Sequence, residues 1–121
     1  MDHDTVDPFL TSLCEAVIRR APPWPSAAKE YMRANKCKLL GWYDGVDSED
    51  RPKIYLWRGL EGTDDSGHLM LARILTEEVC HDAANDLTHG AVNMKVAALL
   101  RRSAWREAVY RRLIVWLWKT P

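Results

Sequence analysis

Residues 37–59, CKLLGWYDGVDSEDRPKIYLWRG, decide which kind of fold this chain can adopt. Two short runs at 37–43 and 53–59 are rich in aromatic and branched residues, and the stretch between them, residues 44–52, is rich in turn formers. Runs of this composition, bounded by Gly, Pro, Asp and Ser, are typical of strands joined by a polar loop. The stretch therefore predicts two neighbouring antiparallel strands.

The segment that follows leaves the size of the sheet open. A second polar stretch, EGTDDSG at 61–67, precedes the apolar run HLMLARIL at 68–75. That run fits a third strand of an antiparallel meander and equally the beginning of a helix, because short apolar runs do not separate the two. We therefore expect a small antiparallel sheet of two or three strands within residues 38–74.

The residues before the sheet predict two helices. In DPFLTSLCEAVIRRAPP, residues 7–23, Asp7 suits the N-cap, a proline suits the first turn, two adjacent arginines suit the last turn, and Pro22 ends the helix. A second, shorter helix is expected from Ser26, taken as its cap, to about Asn35.

The residues after the sheet also predict helices. Thr76 can cap TEEVCHDAANDL at 76–87, whose first turn is acidic. Beyond Gly90 neither Gly nor Pro occurs before Pro121, which indicates one long helix or two joined near Ser103. The whole chain, residues 1–121, is thus expected to be one α+β domain whose sheet is packed by N-terminal and C-terminal helices.

The last predicted helix, SAWREAVYRRLIVWLWK, is amphipathic. On a helical wheel one half is apolar and its members form two adjacent stripes: Trp105, Val109, Leu113 and Trp116, then Tyr110, Ile114 and Leu117. The opposite side carries charged residues: Glu107, Arg111, Arg112 and Lys119. Val115 and Trp118 fall on that charged side, and large apolar residues there suggest contact with something beyond the domain's own core.

Charge is distributed unevenly although the net charge is zero. Residues 41–86 carry four Lys/Arg and eleven Asp/Glu, a net charge of −7, whereas residues 95–119 carry seven Lys/Arg and one Glu, a net charge of +6. Arginines beside aromatic residues can contact phosphates and stack on bases. The basic candidates for a nucleic-acid contact are Arg101, Arg102, Arg106, Arg111, Arg112 and Lys119.

The sequence offers no catalytic, metal or cofactor motif. Glu77 and Glu78 precede His81 at helical spacing, but a dimetal site in a helical bundle needs two such E-x-x-H motifs and further carboxylates. We therefore expect a solvated acidic helix carrying one histidine, with no metal and no cofactor. The three cysteines and the other three histidines form no local nucleophile signature.

The chain is expected to act in the cytoplasm. Its N-terminal residues are acidic and lack the apolar segment of a signal peptide, and its longest apolar run, Leu113 to Trp118, is too short to span a bilayer. Three dispersed cysteines suit free thiols in a reducing compartment.

These observations favour a non-enzymatic protein-interaction domain: a regulator, inhibitor or adaptor that acts on another macromolecule. Six tryptophans exceed what a core of this size plainly needs, and aromatic residues anchor interfaces. We expect Val115, Trp118 and Trp24 to contact a protein partner, and the opposite charge blocks favour a homodimer. Nucleic-acid binding by the basic, Trp-rich C-terminal helix is the alternative.

Overall fold

The computed structural model describes residues 7–61 and 65–119, and side chains within 7–61 and 68–117. These residues form an α+β fold in which helices pack against a small mixed sheet, so the predicted fold class is confirmed. The helices are α1 (Pro8–Glu15), α2 (Ser26–Asn35), α3 (Asp65–Ala83), α4 (His89–Leu100) and α5 (Ser103–Lys119). The strands are β1 (Val17–Ala21), β2 (Gly41–Val46) and β3 (Pro52–Trp57), followed by one 3₁₀ turn, Arg58–Leu60.

The predicted hairpin is confirmed. β2 pairs with β3 in antiparallel orientation, with Trp42 opposite Tyr55, and the register shifts before Val46. The loop between the strands is organised by Asp47, whose carboxylate accepts hydrogen bonds of 2.9 Å from the backbone N–H groups of Glu49 and Arg51. An aspartate that bonds the backbone two residues on is the chemistry that makes this loop a turn.

The sheet does have a third strand, but it is not the run 68–75, which the sequence left open between strand and helix and which is helical. Residues 17–21, expected inside the N-terminal helix, form β1, which pairs parallel to β3 and gives the strand order β1-β3-β2. Asp7 caps α1 as predicted, but the helix ends after Glu15, and Ile18 then enters the core from a strand. Helical spacing of apolar residues cannot exclude a strand that finds its hydrogen-bond partners far along the chain.

Two predicted helix caps are also wrong. Ser26 is the first residue of α2, and Pro25 occupies the N-cap without a side-chain hydrogen bond. Thr76 lies in the middle of α3, because residues 68–75 are helical and join the segment that follows. Its buried hydroxyl donates to the Ala72 carbonyl at 2.8 Å and accepts the Trp105 indole N–H at 3.1 Å.

The core is built around α3, which packs against the inner face of the sheet and is flanked by α1, α4 and α5. The C-terminal region is two helices joined near Ser103, one of the two arrangements expected. The first predicted stripe of α5 is buried throughout: Trp105, Val109, Leu113 and Trp116. Ile114, expected on the apolar half, is instead 57% exposed.

No helix in the described part of the chain combines the length and the apolar character that crossing a lipid bilayer requires.

Candidate functional site

The basic residues proposed from the sequence are only partly available on the surface. Arg101, Arg102, Arg106 and Arg111 are exposed. Arg106 donates to the Leu100 carbonyl at 2.7 Å, and Arg111 donates to the Glu107 carboxylate at 2.6 Å. Arg106 thus joins the start of α5 to the end of α4, and Arg111 forms an exposed ion pair within α5.

Arg112 does not belong to the exposed basic face on which the sequence placed it. Its side chain is half-buried, and its guanidinium donates to the backbone carbonyl of Ala16, between α1 and β1. That carbonyl follows the end of a helix, where backbone acceptors lack partners within the helix. Arg112 therefore has a structural role in joining α5 to the N-terminal segment. The side chain of Lys119 lies outside the described residues.

The three proposed partner contacts do not form one surface in the described side chains. Val115 is 44% exposed and adjoins the exposed Ile114 on the outer side of α5. The side chain of Trp118 lies outside the part of the chain that the structure describes. Trp24 is half-buried and belongs to a different surface, next to the sheet.

The outer face of the sheet carries an aromatic cluster that the sequence did not single out. Inner-face residues such as Ile54 are buried, whereas the cross-strand partners Arg19, Tyr55 and Trp42 occupy the opposite face in one row. Trp57, two residues after Tyr55 on β3, shares that face because side chains alternate along a strand. We use the name outer face for the following residues together: Arg19, Trp24, Tyr31, Trp42, Tyr55, Trp57 and Arg58.

Two contacts extend the outer face beyond the strands. At the β2 end, Tyr31 of α2 packs on Trp42 with ring centroids 5.5 Å apart, and the Trp42 indole donates to the Asp44 carboxylate at 3.1 Å. At the β1 end, a recess of about 360 Å³ brings Trp24 beside Tyr55. The cluster is thus continuous from α2 across the sheet to the Pro-rich turn that follows β1.

Arginines flank this recess, and they differ in how they are held. Arg19 and Arg58 are exposed at its rim. Arg20 also lines the recess, but it pairs with Glu61 at 2.5 Å and lies over the Trp116 ring, 5.0 Å from its centroid. Arg20 therefore ties β1 to α5, whereas Arg19 and Arg58 place positive charge next to exposed aromatic surface.

A second concave site lies between α2, β2 and α3. This α3 pocket has a volume of about 450 Å³, within the range of small-molecule sites. Its walls are aromatic and apolar on one side and polar on the other: Tyr31, Leu39, Gly41, Trp42, Tyr43, Glu77, Glu78, His81, Asn85 and His89. No Lys or Arg is among these lining residues.

Glu78 is the most unusual group in the α3 pocket. Its side chain is 9% exposed, and no hydrogen bond to its carboxyl is present within the described part of the chain. The His81 imidazole approaches this carboxyl, with Nε2 3.9 Å from Oε1. Burial, reinforced by the negative charge of Glu77, raises the pKa of Glu78 to about 8.

The close approach of β2 to α3 buries Glu78, and Gly41 makes that approach possible. A Cβ at position 41 would lie 2.4 Å from Ile74 Cγ2 and 3.0 Å from Glu78 Oε2. Only a residue without a side chain lets the strand pass this close to the helix. The neighbourhood of Glu78 is therefore set by the packing of two elements.

Tyr43, His81 and His89 of the pocket also make defined contacts. The Tyr43 hydroxyl donates to the Asp82 carboxylate at 2.7 Å, and burial together with this hydrogen bond raises the pKa of Tyr43 to about 12. Burial lowers the pKa of His81, which therefore favours the neutral imidazole. His89 of α4 meets His81 edge to face, with ring centroids 6.1 Å apart.

The expectation that this helix is solvated is wrong, because α3 is the central helix of the fold and Glu78 faces inward. The E-x-x-H spacing did mark the right pair of residues, but burial could not be read from it. Among the residues that the structure describes, no three His, Cys, Asp or Glu side chains are grouped to hold a metal ion. The pocket thus combines carboxyl groups and aromatic rings without a preformed metal site.

No family model, curated protein or solved structure matches this chain.

Proposed function

We propose that this protein is a non-enzymatic interaction domain, a regulator, inhibitor or adaptor, and that it binds a partner protein through the outer face of its sheet. The observation that carries the proposal is where the tryptophans lie. Of the five whose side chains are described, Trp105 and Trp116 are buried, whereas Trp24, Trp42 and Trp57 lie outside the core on one face.

The chemistry of the outer face suits a protein partner. Residues that dominate binding energy at protein interfaces are mostly Trp, Tyr and Arg, the types that make up this cluster. Several are already held in place: Trp42 by Asp44 and Tyr31, and Trp57 by lying across Gly59, where an added Cβ would be 2.2 Å from its ring. Side chains that are ordered before binding lose less entropy when the complex forms.

A pair of matched double variants tests the proposal. Trp57→Ser with Arg58→Glu changes the outer face, and Met94→Ser with Arg101→Glu makes the same types of change on exposed residues of the α4 region. Proteins captured from an extract of the native cells, treated with nuclease, would be identified by mass spectrometry and then titrated in purified form. We expect binding of the partner to fall by more than about tenfold in the first variant only.

Three results would count against this proposal. One is equal binding by both variants and the unchanged chain, and another is a loss confined to the Met94/Arg101 variant. The third is recovery of a partner that binds only through nucleic acid. Urea denaturation of each variant shows that the domain is still folded, so that loss of binding reports on the surface.

Nucleic-acid binding remains the second candidate, and one observation favours it: Arg19 and Arg58 flank the aromatic recess at Trp24 and Tyr55. Guanidinium groups beside exposed rings can contact phosphates while bases stack. Arg19→Glu with Arg58→Glu should then abolish binding to single-stranded oligonucleotides, and affinity should fall steeply with salt. Absence of binding at low salt would eliminate this candidate.

We also propose that the domain forms a homodimer through the outer side of α5, where Ile114 and Val115 are exposed on a helix of basic character. The acidic middle of the chain supplies the complementary charge. Sedimentation equilibrium at micromolar concentration should show a dimer that Val115→Glu dissociates. A monomer at every accessible concentration would refute this.

We place the activity in the cytoplasm, because Cys14 and Cys37 are exposed free thiols that a reducing compartment preserves.

A further inference from the structure

The α3 pocket is a second site that shares Tyr31 and Trp42 with the outer face, but the inference drawn from it rests on Glu78 and does not depend on the proposed interaction at that face. Two features coincide there. One is a cavity of about 450 Å³ with aromatic walls, and the other is the side chain of Glu78, which is nine-tenths buried and lines the cavity without a hydrogen-bond partner among the described residues.

A buried polar group without a partner costs free energy, of the order of 1–3 kcal/mol, and native structures keep few of them. Glu78 also lines the neighbouring recess of about 340 Å³ along α3, so its carboxyl is accessible to an entering group from the concave surface. The carboxyl is therefore a hydrogen-bonding group that no described residue occupies and that a molecule entering the pocket can reach.

The rest of the pocket indicates what that molecule is. Glu77 adds a second carboxylate, no Lys or Arg lines the cavity, and Tyr31 and Trp42 supply aromatic faces. Carboxylates and aromatic faces both attract a cation, and apolar walls favour an attached hydrocarbon stem. A bare metal ion fits less well, because the described residues contain no group of three metal-binding side chains.

We propose that the α3 pocket binds an organic cation, an alkylammonium or alkylguanidinium group, whose charged end pairs with Glu78 and Glu77 and whose hydrocarbon stem lies against Trp42 and Tyr31. The same chemistry is presented by a free amine and by a lysine or arginine side chain of a polypeptide. The experiment below separates these two sources.

Binding should release a proton. The carboxyl of Glu78 is mostly protonated at neutral pH, since burial raises its pKa to about 8, and a bound cation favours the ionised form. Other titratable or charged groups also face the pocket or the adjoining recess: Glu77, His81 and Arg73 of α3, Lys38 before β2, Tyr43 of β2, Tyr31 of α2 and His89 of α4. The Glu78→Gln variant separates the contribution of Glu78 to this proton release from those of the other groups.

The probes are n-butylguanidinium and n-butylurea, which have nearly the same shape and differ in charge. Chemical-shift titration of the ¹⁵N-labelled full chain should show saturable binding of the cation, with the largest shifts at Trp42 and His81, and no binding of the urea. Glu78→Gln should weaken the cation by more than about tenfold, whereas Glu15→Gln, an exposed position on α1, should leave it unchanged.

Calorimetry in buffers of different ionisation enthalpy measures the proton. We expect about one proton released per cation bound at pH 7, and none for Glu78→Gln. A capped Gly-Gly-Arg-Gly-Gly peptide distinguishes the sources. Tighter binding than that of n-butylguanidinium indicates a polypeptide ligand, and weaker binding indicates a free amine or guanidine; both agree with the proposal.

The proposal is overturned if the urea binds as well as the cation, if Glu78→Gln binds as well as the unchanged chain, or if the cation causes no saturable shifts. Glu78→Gln is expected to stay folded, because the amide has the same shape as the carboxyl, and its spectrum verifies this. Loss of protein binding in the outer-face variants has no bearing on these outcomes, since Trp57 and Arg58 do not line the pocket.

Discussion

Replacing Glu78 by Gln should stabilise the protein at neutral pH and progressively less at acidic pH. The unfolded chain exposes this carboxyl, whose pKa is then about 4.3, whereas burial raises its pKa to about 8 in the folded protein. Between these two values the folded state holds more protons than the unfolded state. The free energy of unfolding therefore falls as pH rises, by about 1.4 kcal/mol per pH unit from this one group.

From pH 5 to pH 7 the carboxyl thus removes about 3 kcal/mol of stability from the unchanged chain, a large share of the 5–15 kcal/mol typical of a small domain. Gln has no such titration, so the stability difference between Glu78→Gln and the unchanged chain should grow by about that amount over this range. His81 acts in the opposite direction, because burial lowers its pKa and its contribution increases as pH rises toward 7. Taking the difference between the two proteins cancels that contribution.

Urea denaturation followed by tryptophan fluorescence at pH 5, 6, 7 and 8 measures the difference, provided the dependence on urea is the same for both proteins. Glu15→Gln, on the exposed side of α1, is the matched control and should show no pH-dependent difference. A difference between Glu78→Gln and the unchanged chain that is constant across the range, or that shrinks as pH rises, would refute the buried, unpaired state of Glu78.

Three further outcomes follow from packing, each measurable by urea or thermal denaturation. Leu113→Ala should lower the free energy of unfolding by about 2–5 kcal/mol, whereas Ile114→Ala, next to it but 57% exposed, should lower it by less than about 1 kcal/mol. Equal losses would contradict the observed orientation of α5. Gly41→Ala should cost about 1–3 kcal/mol, because its Cβ would collide with Ile74, and a neutral result would show that β2 can move away from α3. Trp105→Phe should cost about 1–3 kcal/mol by removing a buried indole hydrogen bond and leaving a small cavity, and an unchanged midpoint would contradict that bond.

The burial pattern of α5 was largely predictable, because it follows from the local spacing of apolar residues. The stripe of α5 from Trp105 to Trp116 is buried as its spacing indicates. The exposure of Val115 also agrees with its position on the wheel. Arg112 shows the limit of such reasoning, since its position on the wheel suggested solvent and the fold supplied a backbone carbonyl to receive it.

The outer face and the α3 pocket could not be predicted as sites from the sequence. Tyr55, Trp57 and Arg58 were recognised as part of a strand, but which face they share depends on the strand register. Glu78 stood out by its spacing to His81, yet its significance lies in being buried where Gly41 lets β2 approach. Composition did carry one signal for these sites, namely more tryptophan than a small core needs.

What the sequence determined by itself were features that depend on neighbours a few residues apart: the α+β class, the Asp7 cap and the turn-rich hairpin. What only the tertiary structure decided was every feature that depends on partners far along the chain. Residues 17–21 form a strand because β3, more than thirty positions later, completes their hydrogen bonds. Residues 68–75 form a helix, one face of which is buried in the core. Local preferences differ by about 1 kcal/mol per residue or less, so long-range pairing and burial outweigh them.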